Sequence, residues 1–309
     1  MPLTPRLKLG TRRSPLAMAQ AQEARARLCA AHGWEEGEVE LVPVVATGDM
    51  IQDRPLAEIG GKALWTRELD IWLAEKRIHA AVHSLKDVET IRPESLAIAA
   101  VLPRADKRDR LLGADSLADL PKGAVIGTSA PRRAAQALHV RPDCTVVSLR
   151  GNVATRRAKL ELGEVDATFL AAAGLDRLGQ HDVGRPLDPT GWLPAPSQGA
   201  IAMECLTHDA ETREFLSAID HLPSHAEVAA ERRLLLGLGG TCHSPIGVLC
   251  DFADDVFDMR AAIYSPDGAE RVEAQARFGI GDTDAPLAMA DDLLARAAPS
   301  IRAVFEGRP

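Results

Sequence analysis

Short apolar runs alternate with longer amphipathic segments through the first two thirds of the chain. Short apolar runs bounded by turn residues are typical of buried strands, and apolar positions spaced three and four residues apart are typical of helices. The runs predict strands at residues 7–9, 39–45, 80–83, 96–101, 124–126, 145–149 and 167–170. Helices are predicted at residues 15–31 and 64–75, around Arg132 and Arg133, and up to about residue 162. Strands that alternate with helices predict parallel sheets flanked by helices.

Helix caps, polar stretches and turn residues refine this prediction. Ser14 is a good N-cap residue and Pro15 suits the first helical position, so a helix should begin there. Residues 107–110 and 121–123 are predicted to be polar loops. The last third predicts helices at residues 224–236 and 285–305, with strands near 247–252, 257–264 and 271–278 between them. Residues 265–268 have the composition of a tight turn, which indicates a hairpin in a small α+β domain.

A faint internal repeat suggests two similarly built lobes. Leu9-Gly10-Thr11 precedes one helix, and Ile126-Gly127-Thr128 precedes another at a similar spacing. Ligands of open α/β sheets bind outside the carboxyl ends of the strands, so we expect these turns to face a shared cleft. The predicted domains are lobe 1 (residues 1–102 and 199–219), lobe 2 (103–198) and an α+β domain (220–309).

Composition narrows the class of protein. The 309 residues are 46% hydrophobic and 26% charged, as expected for a soluble globular protein, and no apolar run reaches the length of a membrane span. A net charge of −8 argues against general nucleic-acid binding. The five cysteines are scattered and the N-terminus lacks an apolar signal segment, so we expect a cytoplasmic protein without disulfides or a metal site.

Arginines at the predicted strand-to-helix turns indicate an anion site. One turn carries Arg12 with Ser14, the next carries Thr128 and Ser129 before Arg132 and Arg133, and a third carries Arg150 before Arg156. Helix N-termini and arginine both favour anions, and the pattern leaves phosphate and carboxylate open. A P-loop is excluded at Gly61-Lys62, because Ala63 follows instead of Ser or Thr.

Other candidate residues fit either a functional or a structural role. Asp87 follows a strand and could meet a ligand, or it could cap the next segment, whereas His83 is expected to be structural. Lys62 and Trp65 could close over a ligand, although Trp65 also fits a helix core. Gln198 follows a proline-rich crossing and should lie near the cleft. Cys242 lies in a glycine-flanked turn that could present a thiol, although a lone cysteine is more often a small buried residue.

Five collinear motifs resemble the hydroxymethylbilane synthase family, also called the porphobilinogen deaminase family. They are Gly60-Gly61-Lys62 with Glu68-Leu69, residues 81–88, residues 149–156, Gln198-Gly199-Ala200, and Gly240-Thr241-Cys242 with Pro245-Ile246-Gly247. The resemblance implies an enzyme that joins porphobilinogen units head to tail with release of ammonia to make hydroxymethylbilane. It also implies two periplasmic-binding-protein-like α/β lobes, a small α+β domain and a monomer.

The resemblance assigns roles to individual residues. It implies a covalent dipyrromethane cofactor on Cys242 and a catalytic carboxylate at Asp87. Residues implied to hold the carboxylates of cofactor and substrate are Arg12, Ser14, Lys86, Thr128, Ser129, Arg132, Arg133, Arg150, Arg156 and Arg177, and we add Lys62, Trp65 and Gln198 as substrate contacts. The chain departs from the family pattern at Ala63, Trp65, Ala130-Pro131 and Thr241, and at Glu89, where many members have proline.

Two rival functions remain at this point. A two-lobed binding protein for a dicarboxylate would share the fold, so fold alone does not decide between them. The absence of a signal segment and the presence of the Cys242 turn weigh against that rival. An enzyme that handles phosphoryl groups could use the same helix N-termini, but the chain has no P-loop.

Overall fold

The structure, a computed structural model, describes residues 5–44, 66–241 and 243–305. Contacts between Cα atoms divide the chain into two units, which we describe separately. Unit 1 comprises Met1–Ala105 and Gly199–His225, and unit 2 comprises Asp106–Gln198 and Ala226–Pro309.

Unit 1 contains a five-stranded mixed sheet. Its strands are β1 (Leu7–Arg12), β2 (Val39–Val44), β3 (Ala80–Ser84), β4 (Leu96–Val101) and β10 (Ile201–Leu206). The order is β2-β1-β3-β10-β4, with β1 parallel to β2 and β3, and β10 antiparallel to β3 and β4. Its helices are α1 (Pro15–His32), α2 (Arg67–Ala74) and α6 (Ala210–Ser217).

Helix α1 begins as the sequence predicts. The Ser14 side chain accepts a hydrogen bond from the Ala17 N–H at 3.3 Å, and Pro15 is the first helical residue. The helix ends at Gly33, whose φ of +66° is the left-handed conformation that favours glycine at a C-cap. Ala21, Ala24 and Leu28 face the sheet and are buried, which fixes the helix over the strands.

Unit 2 contains a second five-stranded mixed sheet. Its strands are β5 (Asp109–Leu112), β6 (Val125–Gly127), β7 (Thr145–Val147), β8 (Ala167–Ala171) and β9 (Arg185–Pro186). The order is β7-β6-β8-β5-β9, with β6 parallel to β7 and β8, and β5 antiparallel to β8 and β9. Its helices are α3 (Pro131–Val140), α4 (Val153–Glu161) and α5 (Ala172–Arg177). The two sheets therefore have the same order and strand directions, as the sequence repeat suggests.

The C-terminal part of the chain forms a three-stranded antiparallel sheet packed on helices. The strands β11 (Ile246–Ala253), β12 (Val256–Tyr264) and β13 (Arg271–Gly279) lie in chain order. The helices are α7 (Leu222–Leu238), α8 (Ala285–Arg296) and α9 (Pro299–Arg302). Ser265 and Gly268 close the predicted turn between β12 and β13 with a backbone hydrogen bond of 2.9 Å, and Gly268 has a φ of +71°.

Helix α3 contacts this C-terminal sheet within unit 2. The buried Tyr264 hydroxyl lies 3.4 Å from Gln136 Oε1, and His139 Nδ1 lies 2.9 Å from the carbonyl oxygen of Gly268. Burial raises the pKa of Tyr264, although the nearby Arg271 opposes that shift. The side chains of α3 are therefore held on one side by the turn that joins β12 to β13.

The predicted fold class is confirmed, since the chain forms two mixed α/β sheets with helices and a small antiparallel sheet packed on helices. Three details differ from the expectation. The sheets are mixed, because β10 and β5 enter them antiparallel. The predicted loop at residues 107–110 instead contains the start of β5, with Asp109 fully buried. The predicted helix at 285–305 stops at Arg296, because Pro299 disfavours helical backbone in the residue before it.

Among the described residues, no helix has both the length and the apolar character needed to cross a membrane.

Candidate active site

In unit 1, predicted site residues gather at the carboxyl ends of β1 and β3. Arg12 is the last residue of β1, and Ser14 caps the helix that follows. Lys86 and Asp87 lie in a 3₁₀ turn, Leu85–Asp87, directly after β3. Since β1 and β3 are parallel neighbours, both ends reach the same edge of the sheet.

A small pocket of about 60 Å³ lies at this edge. Arg12, Ser14 and Asp87 line it together with Thr66 and His83. Arginine, a hydroxyl group and a carboxylate thus face one space, as expected for a site that binds an acid and assists a proton transfer.

The wall of the pocket is held by hydrogen bonds between side chains. Gln20 on α1 donates through Nε2 to Ser84 Oγ at 2.8 Å, and the Ser84 hydroxyl donates back to Gln20 Oε1 at 3.1 Å. Both residues line the pocket. The reciprocal pair fixes α1 to the end of β3, which is the strand that leads into Asp87.

His83 lies behind the pocket beside a buried carboxylate. Its Nε2 is 3.4 Å from Glu204 Oε2, and both side chains are almost fully buried. Burial alone would raise the pKa of Glu204, but the neighbouring His83 and the hydrogen-bonded Arg92 lower it to about 2. Glu204 therefore stays ionised, and the predicted structural role of His83 agrees with this contact.

In unit 2, predicted site residues follow three neighbouring parallel strands. Thr128 and Ser129 follow β6, Arg150 follows β7, and Arg177 ends the helix after β8. The Ser129 hydroxyl donates to the Leu149 carbonyl oxygen at 3.0 Å. Because β6 and β7 are parallel neighbours, Thr128, Ser129 and Arg150 follow strand ends at the same edge of the sheet, whereas Arg177 lies at the far end of its helix.

Helix α4 supplies another arginine at that edge. Asn152 caps the helix by accepting a hydrogen bond from the Thr155 N–H at 2.9 Å. Arg156 Nε donates to the Gly151 carbonyl oxygen at 2.9 Å. This bond ties the half-buried Arg156 side chain to the turn that follows Arg150.

Asp109 organises three of the predicted site residues into a buried cluster. Its carboxylate accepts hydrogen bonds from Arg132 Nη2 at 2.8 Å, Arg133 Nη2 at 2.7 Å, Trp192 Nε1 at 2.8 Å and Gln198 Nε2 at 2.9 Å. All five residues are at most 5% exposed. We name these five residues the Asp109 cluster. Arg132, Arg133 and Gln198 thus have a structural contact that the sequence analysis missed, and their ligand binding stays a prediction.

Electrostatics explains why this carboxylate stays charged. Burial alone would raise the pKa of Asp109, but attraction from Arg132 and Arg133 holds it well below its ordinary value. Arg132 Nη1 donates to the carbonyl oxygen of Leu193 at 2.8 Å, and Arg133 Nη1 donates to that of Phe169 at 2.9 Å. Buried charges are tolerated when they are paired and hydrogen-bonded in this way.

Sequence reasoning missed Asp109 because charged neighbours surround it. Lys107, Arg108 and Arg110 make the stretch look like a solvated loop. The useful signal was the apolar pair Leu111-Leu112 directly after it, which marks a short buried strand. Trp192 gave no local signal, since its partner lies 83 residues away in the chain.

The neighbours of Cys242 form hydrogen bonds, whereas Cys242 itself lies outside the described residues. The Thr241 N–H donates to Ser244 Oγ at 3.0 Å, and the Ser244 N–H donates to the Thr241 carbonyl oxygen at 3.0 Å. A Cβ on Gly240 would lie 2.5 Å from Leu235 Cδ1, so only glycine fits there without displacing a side chain. The predicted residues Lys62 and Trp65 also lie outside the described residues.

Comparison with known proteins gives concordant matches over most of the chain. The sequence model of the porphobilinogen deaminase dipyrromethane cofactor binding domain matches residues 7–214, and that of the porphobilinogen deaminase C-terminal domain matches residues 225–296. Porphobilinogen deaminase of Sphingopyxis alaskensis is 54% identical over 305 residues, which cover 97% of this chain and 96% of that protein. Porphobilinogen deaminase of Paracoccus denitrificans is 46% identical over 290 residues, which cover 93% of this chain and 92% of that protein.

Solved structures give a weaker match. The periplasmic VFT2 domain of BvgS from Bordetella pertussis has a TM-score of 0.40 at 14% identity and covers 73% of this chain and 91% of that chain. A periplasmic His/Glu/Gln/Arg/opine family-binding protein from Silicibacter pomeroyi has a TM-score of 0.35 at 17% identity and covers 74% of this chain and 94% of that chain. TM-scores this low support no functional conclusion.

Proposed function

Because this chain belongs to the porphobilinogen deaminase family, we propose which of its residues carry out the reaction of that family. The activity is that of hydroxymethylbilane synthase, a transferase of tetrapyrrole biosynthesis. Four porphobilinogen units are condensed head to tail into hydroxymethylbilane, and one ammonia leaves at each condensation. The cofactor of the family is dipyrromethane, and its binding domain spans most of both α/β sheets.

We infer that Asp87 is the catalytic carboxylate. The observation that carries this proposal is that Asp87, Arg12 and Ser14 line one pocket at the carboxyl ends of β1 and β3. Loss of ammonia from porphobilinogen leaves a cation on the methylene carbon, and an electron-rich pyrrole attacks that carbon. A carboxylate about 4 Å from the cation, at an effective dielectric of about 20, contributes on the order of 4 kcal/mol. The same group can accept and return the protons that move in each condensation.

Arginines and hydroxyl groups are proposed to hold the carboxylates of the substrate. Each porphobilinogen carries two carboxylates, and arginine binds them through paired N–H groups. Arg12 and Ser14 would serve the pocket in unit 1. The other proposed substrate residues are Arg177, Lys62, Trp65 and Gln198. The buried Gln198 would act through its contact with Asp109.

The donors in unit 2 fit the dipyrromethane cofactor. Its two pyrroles bear four carboxylates, and this edge of the sheet offers hydroxyl and guanidinium donors. Arg133 Nε is buried and has no hydrogen-bond partner among the described residues, so it can take an acceptor from a ligand. The residues of unit 2 proposed to hold the cofactor are Thr128, Ser129, Arg132, Arg133, Arg150 and Arg156, with Cys242 as the point of covalent attachment. Lys86, a residue of unit 1, is also proposed as a cofactor contact on the resemblance alone. When bound, the cofactor supplies the pyrrole on which the product chain is built.

Cys242 is proposed to bind the cofactor through a thioether. A thiolate is a strong nucleophile toward the same kind of methylene cation that the reaction uses. The fixed turn of Thr241 and Ser244 and the tightly packed Gly240 would hold this attachment point in place. We also propose that the enzyme is a cytoplasmic monomer. The free thiols of Cys29, Cys144, Cys205 and Cys250 agree with a reducing compartment.

Intact mass and turnover test the proposal together. The purified chain should be heavier than its sequence by one dipyrromethane unit, and it should convert porphobilinogen into hydroxymethylbilane and ammonia. Cys242→Ala should remove the added mass, whereas the control Cys29→Ala should keep it. An active enzyme with only the unmodified mass would contradict the proposed attachment, and a loaded protein without turnover would contradict the activity.

A further inference from the structure

A cluster of charged side chains contacts two residues that line the Asp87 pocket. Four residues form it, and we name them the Arg92 cluster: Asp70, Glu89, Arg92 and Glu204. All four belong to unit 1. The cluster reaches the pocket through Glu89, which accepts hydrogen bonds from Thr66, and through Glu204, which lies 3.4 Å from His83.

Arg92 is surrounded by carboxylates on three sides. Its Nε and Nη2 bind the two oxygens of Glu204 at 2.9 and 2.7 Å. Nη2 also binds Asp70 Oδ1 at 2.5 Å, and Nη1 binds Glu89 Oε2 at 2.8 Å. The Arg92 side chain is 9% exposed and that of Glu204 is 1% exposed. Asp70 and Glu204 therefore satisfy Nε and Nη2 of Arg92, whereas Nη1 binds Glu89 and lies 3.4 Å from the Thr66 hydroxyl oxygen.

Glu89 connects this cluster to the start of α2. Its two carboxylate oxygens accept from the Thr66 hydroxyl at 3.1 and 3.0 Å. Thr66 is fully buried and occupies the N-cap position of α2, yet its side chain makes no capping bond to the helix. Its hydroxyl group is thus used for Glu89 instead of for the helix.

The turn that carries Asp87 is fixed upstream by the sheet. The Leu85 N–H donates to the Ala200 carbonyl oxygen at 3.1 Å, and the Leu85 side chain is buried. Downstream, Val88 is buried, and its N–H donates to the Leu85 carbonyl oxygen at 3.2 Å. Glu89 is the next residue, two positions from Asp87, and two residues span at most about 7 Å. Glu89 is therefore the point at which a side chain fixes the backbone as it leaves the turn of Asp87.

We propose that Glu89 is a positioning residue for Asp87, and that it acts by tying the downstream end of the turn to Thr66 and Arg92. The proposal rests on the catalytic role proposed for Asp87. The hydrogen-bonded carboxylate restricts the backbone at the exit from the turn.

The test compares two isosteric variants of the loaded holoenzyme, Glu89→Gln and Thr66→Val. Either change weakens the same contact, and Arg92 keeps Asp70 and Glu204, so the fold should be retained. Misplacing a catalytic group by about 1 Å costs up to about 10²-fold. We expect kcat to fall at least about tenfold while KM changes by less than about threefold. The double variant should lose about as much as Glu89→Gln alone, because Glu89→Gln weakens the contacts with both Thr66 and Arg92, and Thr66→Val removes the first of these.

Two further variants make the result interpretable. Glu94→Gln removes an exposed carboxylate from the same segment and should leave kcat and KM unchanged. Asp87→Asn, measured alongside, separates the two proposals. If Asp87→Asn is inactive while Glu89→Gln and Thr66→Val both turn over normally, the positioning role is wrong and that of Asp87 stands. If Asp87→Asn turns over normally, the catalytic role itself is wrong. A lower Tm with normal kcat would assign Glu89 to stability alone and overturn the proposal.

Discussion

The two α/β sheets have the same strand order but opposite arrangements of buried charge. In unit 1, Arg92 lies among three carboxylates, and the most buried of them, Glu204, is on β10. In unit 2, the carboxylate of Asp109 on β5 lies between two arginines. Strands β10 and β5 hold the fourth place in their sheets, so the same position of the fold anchors both arrangements.

The difference shows that the shared fold does not determine the charge of a site. A cluster of one arginine and three carboxylates is net negative, whereas one carboxylate between two arginines is net positive. The negative cluster lies next to the Asp87 pocket, where the proposed reaction develops a cation. The positive cluster lies in the unit whose proposed ligand is the carboxylate-rich cofactor. The charge of the cluster in unit 1 suits the cation that develops in the proposed reaction, and the charge of the cluster in unit 2 suits the carboxylates of the proposed cofactor.

The largest expected effect separates a catalytic carboxylate from a structural one. Asp87→Asn should slow single-turnover condensation by at least about a thousandfold, since it removes both acid–base assistance and charge stabilisation. The Tm should change little, because Asp87 lies at a pocket rather than in the core. A capping role predicts the reverse, about 0.5–2 kcal/mol of lost stability with near-normal turnover. Asp87→Glu should retain more activity than Asp87→Asn, because the charge remains.

Asp109→Asn should have the opposite effect from Asp87→Asn, namely a large loss of stability. It leaves two buried guanidinium groups without their counter-charge, which costs about 3–5 kcal/mol of unfolding free energy in denaturant titrations. The control Asp115→Asn breaks an exposed pair with Arg185 and should cost no more than about 1 kcal/mol. Equal losses for both variants would contradict the assigned role of burial.

The lowered pKa of Asp109 predicts that the stability of the folded protein depends on pH in the acid range. The pKa of Asp109 is lower in the folded protein than in the unfolded chain, so its contribution is present at neutral pH. It is lost as the pH falls below about 4, where the unfolded chain takes up a proton first. The Asp109→Asn variant should therefore show a flatter decline of stability between about pH 4 and pH 2 than the parent protein. A parallel decline in both proteins would contradict this linkage.

A smaller effect is expected at Arg150. A hydrogen bond to a charged group contributes about 1.5–3 kcal/mol, which corresponds to roughly one to two decades of binding. Arg150→Lys keeps the charge but loses the two-pronged contact, so cofactor loading or product elongation should fall by that amount. The neighbouring Arg157→Lys, whose side chain lies near Gln180 and Glu161, should have little effect. Normal loading and turnover of Arg150→Lys would remove it from the proposed site.

The smallest expected effects come from substituting Gly10 and Gly127, which hold matching positions in the two repeats. A Cβ on Gly10 would lie 2.4 Å from Ile78 Cδ1, and one on Gly127 would lie 2.8 Å from Leu149 Cδ2. Gly10→Ala and Gly127→Ala should each cost about 1–3 kcal/mol of unfolding free energy through overpacking. Gly281→Ala, with open space around it, should be near neutral. A neutral result at either repeat position would mean that the side chains of that lobe can shift to accommodate the methyl group.

Much of the fold could be predicted because local signals agree with the tertiary structure. The strand at residues 96–101 was predicted with the observed bounds, and α1 begins at Pro15 because cap and proline signals coincide. Antiparallel β10 and β5 could not be predicted in this way, since strand direction depends on partners far away in the chain. The helix α6 was missed, because its eight residues carry few apolar positions.

Some neighbours within the candidate site could be predicted from the sequence, whereas its internal contacts could not, and the roles of its residues stay predictions. Asp87 and Arg12 were predicted from their place at strand ends, and the structure brings them to one pocket. The buried environment of Arg132 and Gln198 escaped prediction, because it depends on Asp109 at the start of a four-residue strand. Burial of a charge is decided by partners elsewhere in the chain, so a local signal such as Leu111-Leu112 indicates a buried strand but not the partners of its charged residue.

The contact of Tyr264 with Gln136 has a practical consequence for spectroscopy. Tyr264 is the only tyrosine in the chain, so phenol absorbance comes from a single known position on β12. Because burial raises its pKa, the phenol in the folded protein ionises only above the pH at which an exposed tyrosine would. An alkaline titration followed in the ultraviolet therefore reports the opening of the C-terminal sheet, and unit 1, which has no tyrosine, contributes nothing to that signal.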